Sequence, residues 1–205
     1  MRYPKLRELK EALTSLFSRP YTQRFPFQPH TPEKRFRGKP EYYKEYCVGC
    51  TACAQVCPSN CIEWEDDLTS TPPKRRLILH YDACIFCGQC QLYCITEKGI
   101  QMSKKFDLAG FDRKEMVEIQ ENELVLCESC GEVIGTKDHI RFVREKIGML
   151  SLASEAGLLQ LQEELVLNPA FKGKIDLPLR REHLFRMLCP KCRRDLHLAD
   201  EWNVK

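Results

Sequence analysis

Eight cysteines set in two runs carry the clearest chemistry in this chain. Cys47, Cys50, Cys53 and Cys57, followed by Pro58, read C-x2-C-x2-C-x3-C-P, and Cys84, Cys87, Cys90 and Cys94 repeat the spacing. This is the spacing by which thiolates hold [4Fe–4S] clusters. Three sulfurs on one tight turn converge on three corners of a cube. The fourth, further along, starts the next helix pointing away and ligates the other cluster. The expected ligand sets are therefore Cys47, Cys50, Cys53 and Cys94 for a first cluster, and Cys84, Cys87, Cys90 and Cys57 for a second. The competing reading is a disulfide framework. The runs are too short and repetitive for a staple network, which belongs to small secreted domains. The N-terminal residues MRYPKLRELKEALTSLF carry basic residues but no uninterrupted apolar stretch or cleavage site of the secretory kind. Free thiolates at loading imply a reducing, intracellular setting.

A second constellation follows: Cys127-x2-Cys130-Gly131 and Cys189-Pro190-x-Cys192. Two such pairs supply the four thiolates of a closed tetrahedral metal site, with zinc the first expectation and rubredoxin-like iron using the same ligands. The alternative is two unrelated C-x-x-C turns, one or both a redox dithiol. The 58 residues between Cys130 and Cys189 exceed ribbon spacing and must form a helical insertion that returns the chain. Of the thirteen cysteines only Cys61 is left over. A small buried residue is its simplest reading, a spare ligand the other. His30, His80, His139, His183 and His197 are not needed as ligands and are expected to be structural.

The elements that must position these sulfurs are legible in outline. YCVGCTACAQVCPSNCIEW aligns with ACIFCGQCQLYCITEKGIQM: a tetrad, a short helix, then a strand starting at Ile62 or Ile100. With LILHY (77–81) as a further strand, this predicts the pseudo-two-fold βαββαβ pattern of a bacterial-type 2[4Fe–4S] ferredoxin domain over residues 42–106. Before it, in 1–41, Leu6, Leu9, Leu13, Leu16 and Phe17 fall at helical spacing, predicting an amphipathic helix over 5–17 that packs on protein or lies on a membrane face. Residues 19–40 carry five prolines with Tyr21, Phe25, Phe27 and Phe36, which predicts an extended docking arm. In 107–205, after a connector, ELVLCESCGEVIG reads strand, knuckle, strand. Helices are expected over 138–147 and 152–167, and LCPKCRRDLHL (188–198) should repeat the strand-knuckle pattern. The fold class is thus α+β: a two-cluster domain with an N-terminal helix and arm, plus a four-cysteine zinc-ribbon or rubredoxin-like module.

Charge narrows the partners. The formal charge is +3, but two clusters with their thiolates contribute about −4 and a four-thiolate zinc site about −2. The loaded chain is then mildly acidic, and no nucleic-acid partner is expected. Residues 1–46 hold 11 Lys/Arg against 5 Asp/Glu, so the N-terminal arm is where an acidic partner or a membrane surface would bind. No run reaches the ~18 apolar residues of a membrane span. No G-x-G-x-x-G, P-loop or Ser/His/Asp pattern is present, so the chain is expected to carry electrons rather than catalyse.

FRGKPEYYKEYCVGCTACAQVCPSNCIEW, followed by CIFCGQC, resembles the two-cluster subunit of complex I and of the related membrane-bound [NiFe] hydrogenases. The FRGKPE lead-in, the CIFCG of the second tetrad and the paired C-terminal knuckles are most similar to the corresponding subunit of formate hydrogenlyase-type complexes. The resemblance spans about residues 20–135 and 185–195. It implies an electron-transfer subunit, peripheral on the cytoplasmic side of the membrane. Its partners would be an electron-input subunit, the proximal-cluster small subunit, the NiFe large subunit and the membrane arm. A diffusing soluble ferredoxin with an added zinc module is the alternative; a third reading, in which clusters and ribbon are structural in a nucleic-acid-associated protein, is disfavoured because the basic charge sits in the arm. One departure stands out: the family usually has proline after the last cysteine of both tetrads, whereas Cys94 is followed by Ile95-Thr96. That predicts an altered helix exit at the cluster this residue serves.

Overall fold

The computed structural model describes residues 5–165, 179, 183 and 185–198. It divides into two units, Met1–Phe36 and Arg37–Lys205. In the first, α1 (Leu6–Phe17) is closed at its N-terminus by the Glu8 carboxylate, which accepts from the Lys5 N–H at 3.2 Å. None of its residues is buried; Leu6 and Phe17 are about 85% exposed. From Ser18 to Phe36 the chain forms no helix or strand, as its prolines dictate.

The second unit opens with the βαββαβ core: β1 (Pro40–Tyr42), α2 (Ala52–Gln55), β2 (Ile62–Asp67), β3 (Lys74–His80), α3 (Gln89–Leu92) and β4 (Ile100–Met102). β1 pairs antiparallel with β4, Glu41 opposite Gln101, and β2 with β3, Trp64 opposite Leu77. Leu77, Leu79, Ile62, Ile100 and Tyr81 form the apolar core together with Cys47, Cys53, Cys61 and Cys90. Sulfur thus makes up a large part of this core.

The sheet then extends beyond the core. β5 (Val117–Leu126), preceded by a 3₁₀ turn at Arg113–Met116, pairs antiparallel with β3, and β6 (Val133–Thr136) pairs with β5, giving the order β2-β3-β5-β6. The strand expected from residue 123 begins at Val117. Its inward face is polar at Gln120 and Asn122, which are 5% and 4% exposed, while Ile119 faces out. Across the outer face Lys74 and Arg76 both pair with Glu121, at 2.8 and 3.0 Å. Glu118 of β5 accepts from the Tyr42 N–H at 2.9 Å and from the Tyr81 hydroxyl, tying the added strand to β1.

α4 (Lys137–Ile147) follows, N-capped by Thr136, whose hydroxyl accepts from the His139 N–H. A 3₁₀ turn (Gly148–Ala153) leads to α5 (Glu155–Glu164), and Glu164 pairs with Arg141 and Arg144 of α4. The end of the expected helix at 166–167 lies outside the described residues. The last element corrects an expectation. Residues 190–198 form α6 (Pro190–Leu198), not a second strand-knuckle hairpin. The first knuckle turns at Gly131, with φ +77. After Cys192 stands Arg193, which disfavours that conformation, and Pro190 is suited to the first turn of a helix. The Arg193 N–H accordingly donates to the Cys189 carbonyl at 2.9 Å, a helical bond.

Candidate functional site

Two cavities collect the tetrad sulfurs. One is lined by Cys47, Cys50, Cys53 and Cys94. The other is lined by Cys57, Cys84, Cys87 and Cys90, and by Cys61. Each cavity thus takes three cysteines from one tetrad and the last from the other. The loops that present them share one backbone path. Gly49 and Phe86 stand at equivalent positions with φ of +64° and +53°, as do Thr51 and Gly88 with +64° and +80°. The left-handed residues before α2 and α3 reverse the chain so that the third sulfur of each run turns back towards the first two.

The donor chemistry fits iron–sulfur ligation. Burial pushes the Cys47 and Cys90 thiols up to about 12 and Cys53 to about 11, with neighbouring sulfur charges adding to this. Without metal these sulfurs are neutral thiols at pH 7, so iron must displace their protons. Backbone N–H groups of Gly49, Ala54 and Gln91 face Cys47, Cys53 and Cys90 and offset part of the burial. Once thiolates are bound, such donors stabilise them. At Cys94 burial works upwards too, yet the Thr96 hydroxyl and the N–H groups of Thr96, Ile100 and Gly99 outweigh it and hold the thiol below its ordinary range.

The missing proline after Cys94 leaves the exit turn intact. Asn60 and Glu97, three residues beyond Cys57 and Cys94, both adopt positive φ, +50° and +61°. Their N–H groups donate back to the Cys57 and Cys94 carbonyls at 3.3 and 2.9 Å. Ser59 and Thr96 place hydroxyls 3.7 and 3.3 Å from the respective sulfurs. The hydroxyl two residues on, rather than the proline, is what the halves share here.

Cys61 is 3% exposed, and its sulfur lies 3.3 Å from that of Cys57. Tyr42 was not foreseen: its hydroxyl lies 3.7 Å from the Cys53 sulfur, and burial followed by the Cys53 thiolate drives its own pKa far up, so it stays a neutral donor.

Cys127, Cys130, Cys189 and Cys192 meet with all four sulfurs within 4.8 Å of one another. The first pair comes from the turn between β5 and β6, the second from the entry and first turn of α6. Cys130 is exposed and the other three are buried. The two cysteine-bearing segments are joined by Glu128, whose N–H donates to the Met187 carbonyl at 2.9 Å and whose carboxylate accepts from the Met187 N–H at 3.1 Å. Burial would raise the Cys127 thiol, but N–H groups of Cys130, Cys189 and Ser129 outweigh it and bring it to about 7. A site with one ligand poised to ionise and three more sulfurs in reach is suited to a metal cation.

The match to known proteins follows this geometry. Residues 46–98 match the model of the 4Fe-4S dicluster domain, so the class is a two-cluster iron–sulfur protein. NADH-quinone oxidoreductase subunit I 2 of Geobacter metallireducens is 33% identical over 127 residues, 59% of this chain and 96% of that one. Formate hydrogenlyase subunit 6 of Escherichia coli is 32% identical over 121 residues, covering 59% and 66% of the two chains. NAD(P)H-quinone oxidoreductase subunit I of Gloeobacter violaceus is 31% identical over 101 residues, and the chain spans about half of its length, 48%. The chain belongs to the subunit I family of the NADH-quinone oxidoreductases.

Proposed function

We propose that the protein is the electron-transfer subunit of a membrane-bound, formate hydrogenlyase-type complex. It relays electrons through two [4Fe–4S] clusters between an electron-input subunit and the [NiFe] hydrogenase module. What supports this is the pair of cavities in one small domain, each lined by three cysteines of one tetrad and the last of the other, beside a second four-cysteine site. Two clusters sharing ligand-bearing helices form a wire for single electrons. The four-cysteine site supports the hydrogenlyase-type branch, whose paired C-terminal cysteines it resembles. We assign it structural zinc, held by Cys127, Cys130, Cys189 and Cys192. In this reading 1–41 dock, 42–106 carry electrons and 107–205 brace the domain.

Anaerobic co-purification in mild detergent, with partners identified by mass spectrometry, tests the assignment. Recovery of a NiFe large subunit, its small subunit and membrane-arm proteins is expected. Isolation as a monomer able to shuttle electrons between soluble enzymes would instead establish a free ferredoxin.

Among the described residues no helix is long and apolar enough to cross a membrane. We place the protein peripherally on the cytoplasmic face, with α1 in the interface plane. Leu6, Leu9, Leu13, Leu16 and Phe17 would enter the lipid, with Lys5, Arg7 and Lys10 near the headgroups. Each leucine buried in lipid contributes about 1.5–3 kcal/mol. Replacing Leu9 and Leu13 by Glu should therefore weaken co-sedimentation of the full chain with anionic vesicles by at least about tenfold. Unchanged binding would reassign α1 to a protein surface.

A further inference from the structure

The two tetrad loops follow the same backbone path, but their surroundings differ. Three successive carbonyls of the first loop each accept a hydrogen bond from a side chain of the extended sheet. Asn122 Nδ2 donates to Cys47 O at 2.7 Å, the Thr136 hydroxyl to Val48 O, and Arg75 Nη1 to Gly49 O at 3.3 Å. In the second loop the matching carbonyls are those of Cys84, Ile85 and Phe86. Among the described residues no side-chain hydrogen bond reaches them; the nearest counterpart is Arg37 Nη1, which donates to Cys87 O at 2.6 Å.

The contact on the first loop is close and built. Asn122 is 4% and Thr136 0% exposed, so two polar side chains are buried where a sheet would ordinarily present apolar ones. A Cβ at Gly49 would lie 2.9 Å from Thr136 Cγ2 and 3.0 Å from Asn122 Cβ. At the equivalent left-handed position the second loop accommodates Phe86. Glycine is demanded only where the clamp presses.

We infer that Asn122, Thr136 and Arg75 are positioning residues that hold the reduction potential of the first cluster above that of the second. This rests on the reading that the two cavities hold [4Fe–4S] clusters. The physical link runs through the peptide units. The Val48 carbonyl and the Gly49 N–H belong to one peptide, and that N–H faces the Cys47 sulfur. A hydrogen bond at the oxygen polarises the unit and strengthens its N–H as a donor. Stronger donors to the cluster sulfurs favour the more negative, reduced state. Arg75 adds a guanidinium near the Cys50 sulfur, its charge shared with Asp66 through bonds of 2.7 and 2.8 Å. One electron lost by the second cluster is then gained by the first, with no proton or ligand exchanged, and electrons collect beside the clamp.

The test is an EPR-monitored redox titration of the full chain loaded anaerobically, with iron content measured in parallel. Thr136→Val should lower the reduction equilibrium constant of the higher-potential cluster about three- to tenfold, where tenfold is 59 mV for one electron. The other cluster should stay in place and the iron content should not change. Thr136→Ser, which keeps the hydroxyl, should restore the wild-type value, and Arg37→Gln should move only the lower-potential cluster. If Thr136→Val fails to load, Asn122→Ala carries the same test. Equal shifts of both potentials, or none with iron intact, overturn the inference. Failure of the wild-type chain to bind two clusters overturns the two-cluster reading beneath it.

Discussion

Cys94→Ala is expected to abolish the cluster held by the first tetrad and to spare the one held by its own tetrad. Cys94 lines the cavity of Cys47, Cys50 and Cys53 and is absent from the lining of the other. Its sulfur also has the Thr96 hydroxyl and three backbone N–H groups around it, a setting prepared for a thiolate. Loss of this ligand leaves a three-sulfur site with an open corner, and about half of the cluster iron should go with it. The reciprocal variant must replace Cys57 and Cys61 together, because the Cys61 sulfur lies 3.3 Å from that of Cys57 and lines the same cavity. That double variant should lose only the second cluster. Iron analysis with EPR of the dithionite-reduced protein separates the outcomes. If Cys94→Ala removed the signal that Arg37→Gln shifts, the crossed ligand sets would be wrong.

Ligand spacing is a local property, which is why the tetrads, the repeat and the short helices after them could be read from the chain alone. The clamp could not. Asn122 and Thr136 reach the first loop across 75 and 88 residues, and β5 hides its inward face behind Gln120 and Asn122, residues that pattern reading assigns to solvent. Val117 and Ile119, the apolar residues that would mark the strand, lie on the other face. Near Cys189 the reason is different. Cys189-Pro190-x-Cys192 mirrors the spacing of Cys127-x2-Cys130-Gly131, but the glycine that makes the first a knuckle has no counterpart after Cys192. Proline at a first helical position was the local signal for α6. The Ile95-Thr96 departure shows the reverse case: the exit turn keeps its form without the proline, because both halves share a hydroxyl two residues on and a positive-φ residue three residues on.

Replacing Cys189 by Ala should unfold the four-cysteine module and leave both clusters in place. The packing there is slight. Besides its cysteines, the cluster of buried residues holds Leu188 and Leu196, with Ile134 and Leu179 against it. A few leucines at about 1.5–3 kcal/mol each do not offset the ordering of α6 and its entry at about 1–2 kcal/mol per residue. Metal binding worth about 10–16 kcal/mol in structural zinc sites does. Protection of residues 185–198 against hydrogen exchange should therefore collapse in Cys189→Ala, and in the wild-type chain treated with a zinc chelator. β5 should survive, because it pairs with β3 from Val117 to Glu123 independently of the knuckle. Thr136 ends β6, which starts two residues past Gly131 and among the described residues has only β5 as its strand neighbour, so loosening the module frees the hydroxyl on Val48 O. The first cluster should then shift to lower potential while the second does not move. A module that lost its metal yet kept its exchange protection would refute a structural role for these four cysteines and point to a redox dithiol instead.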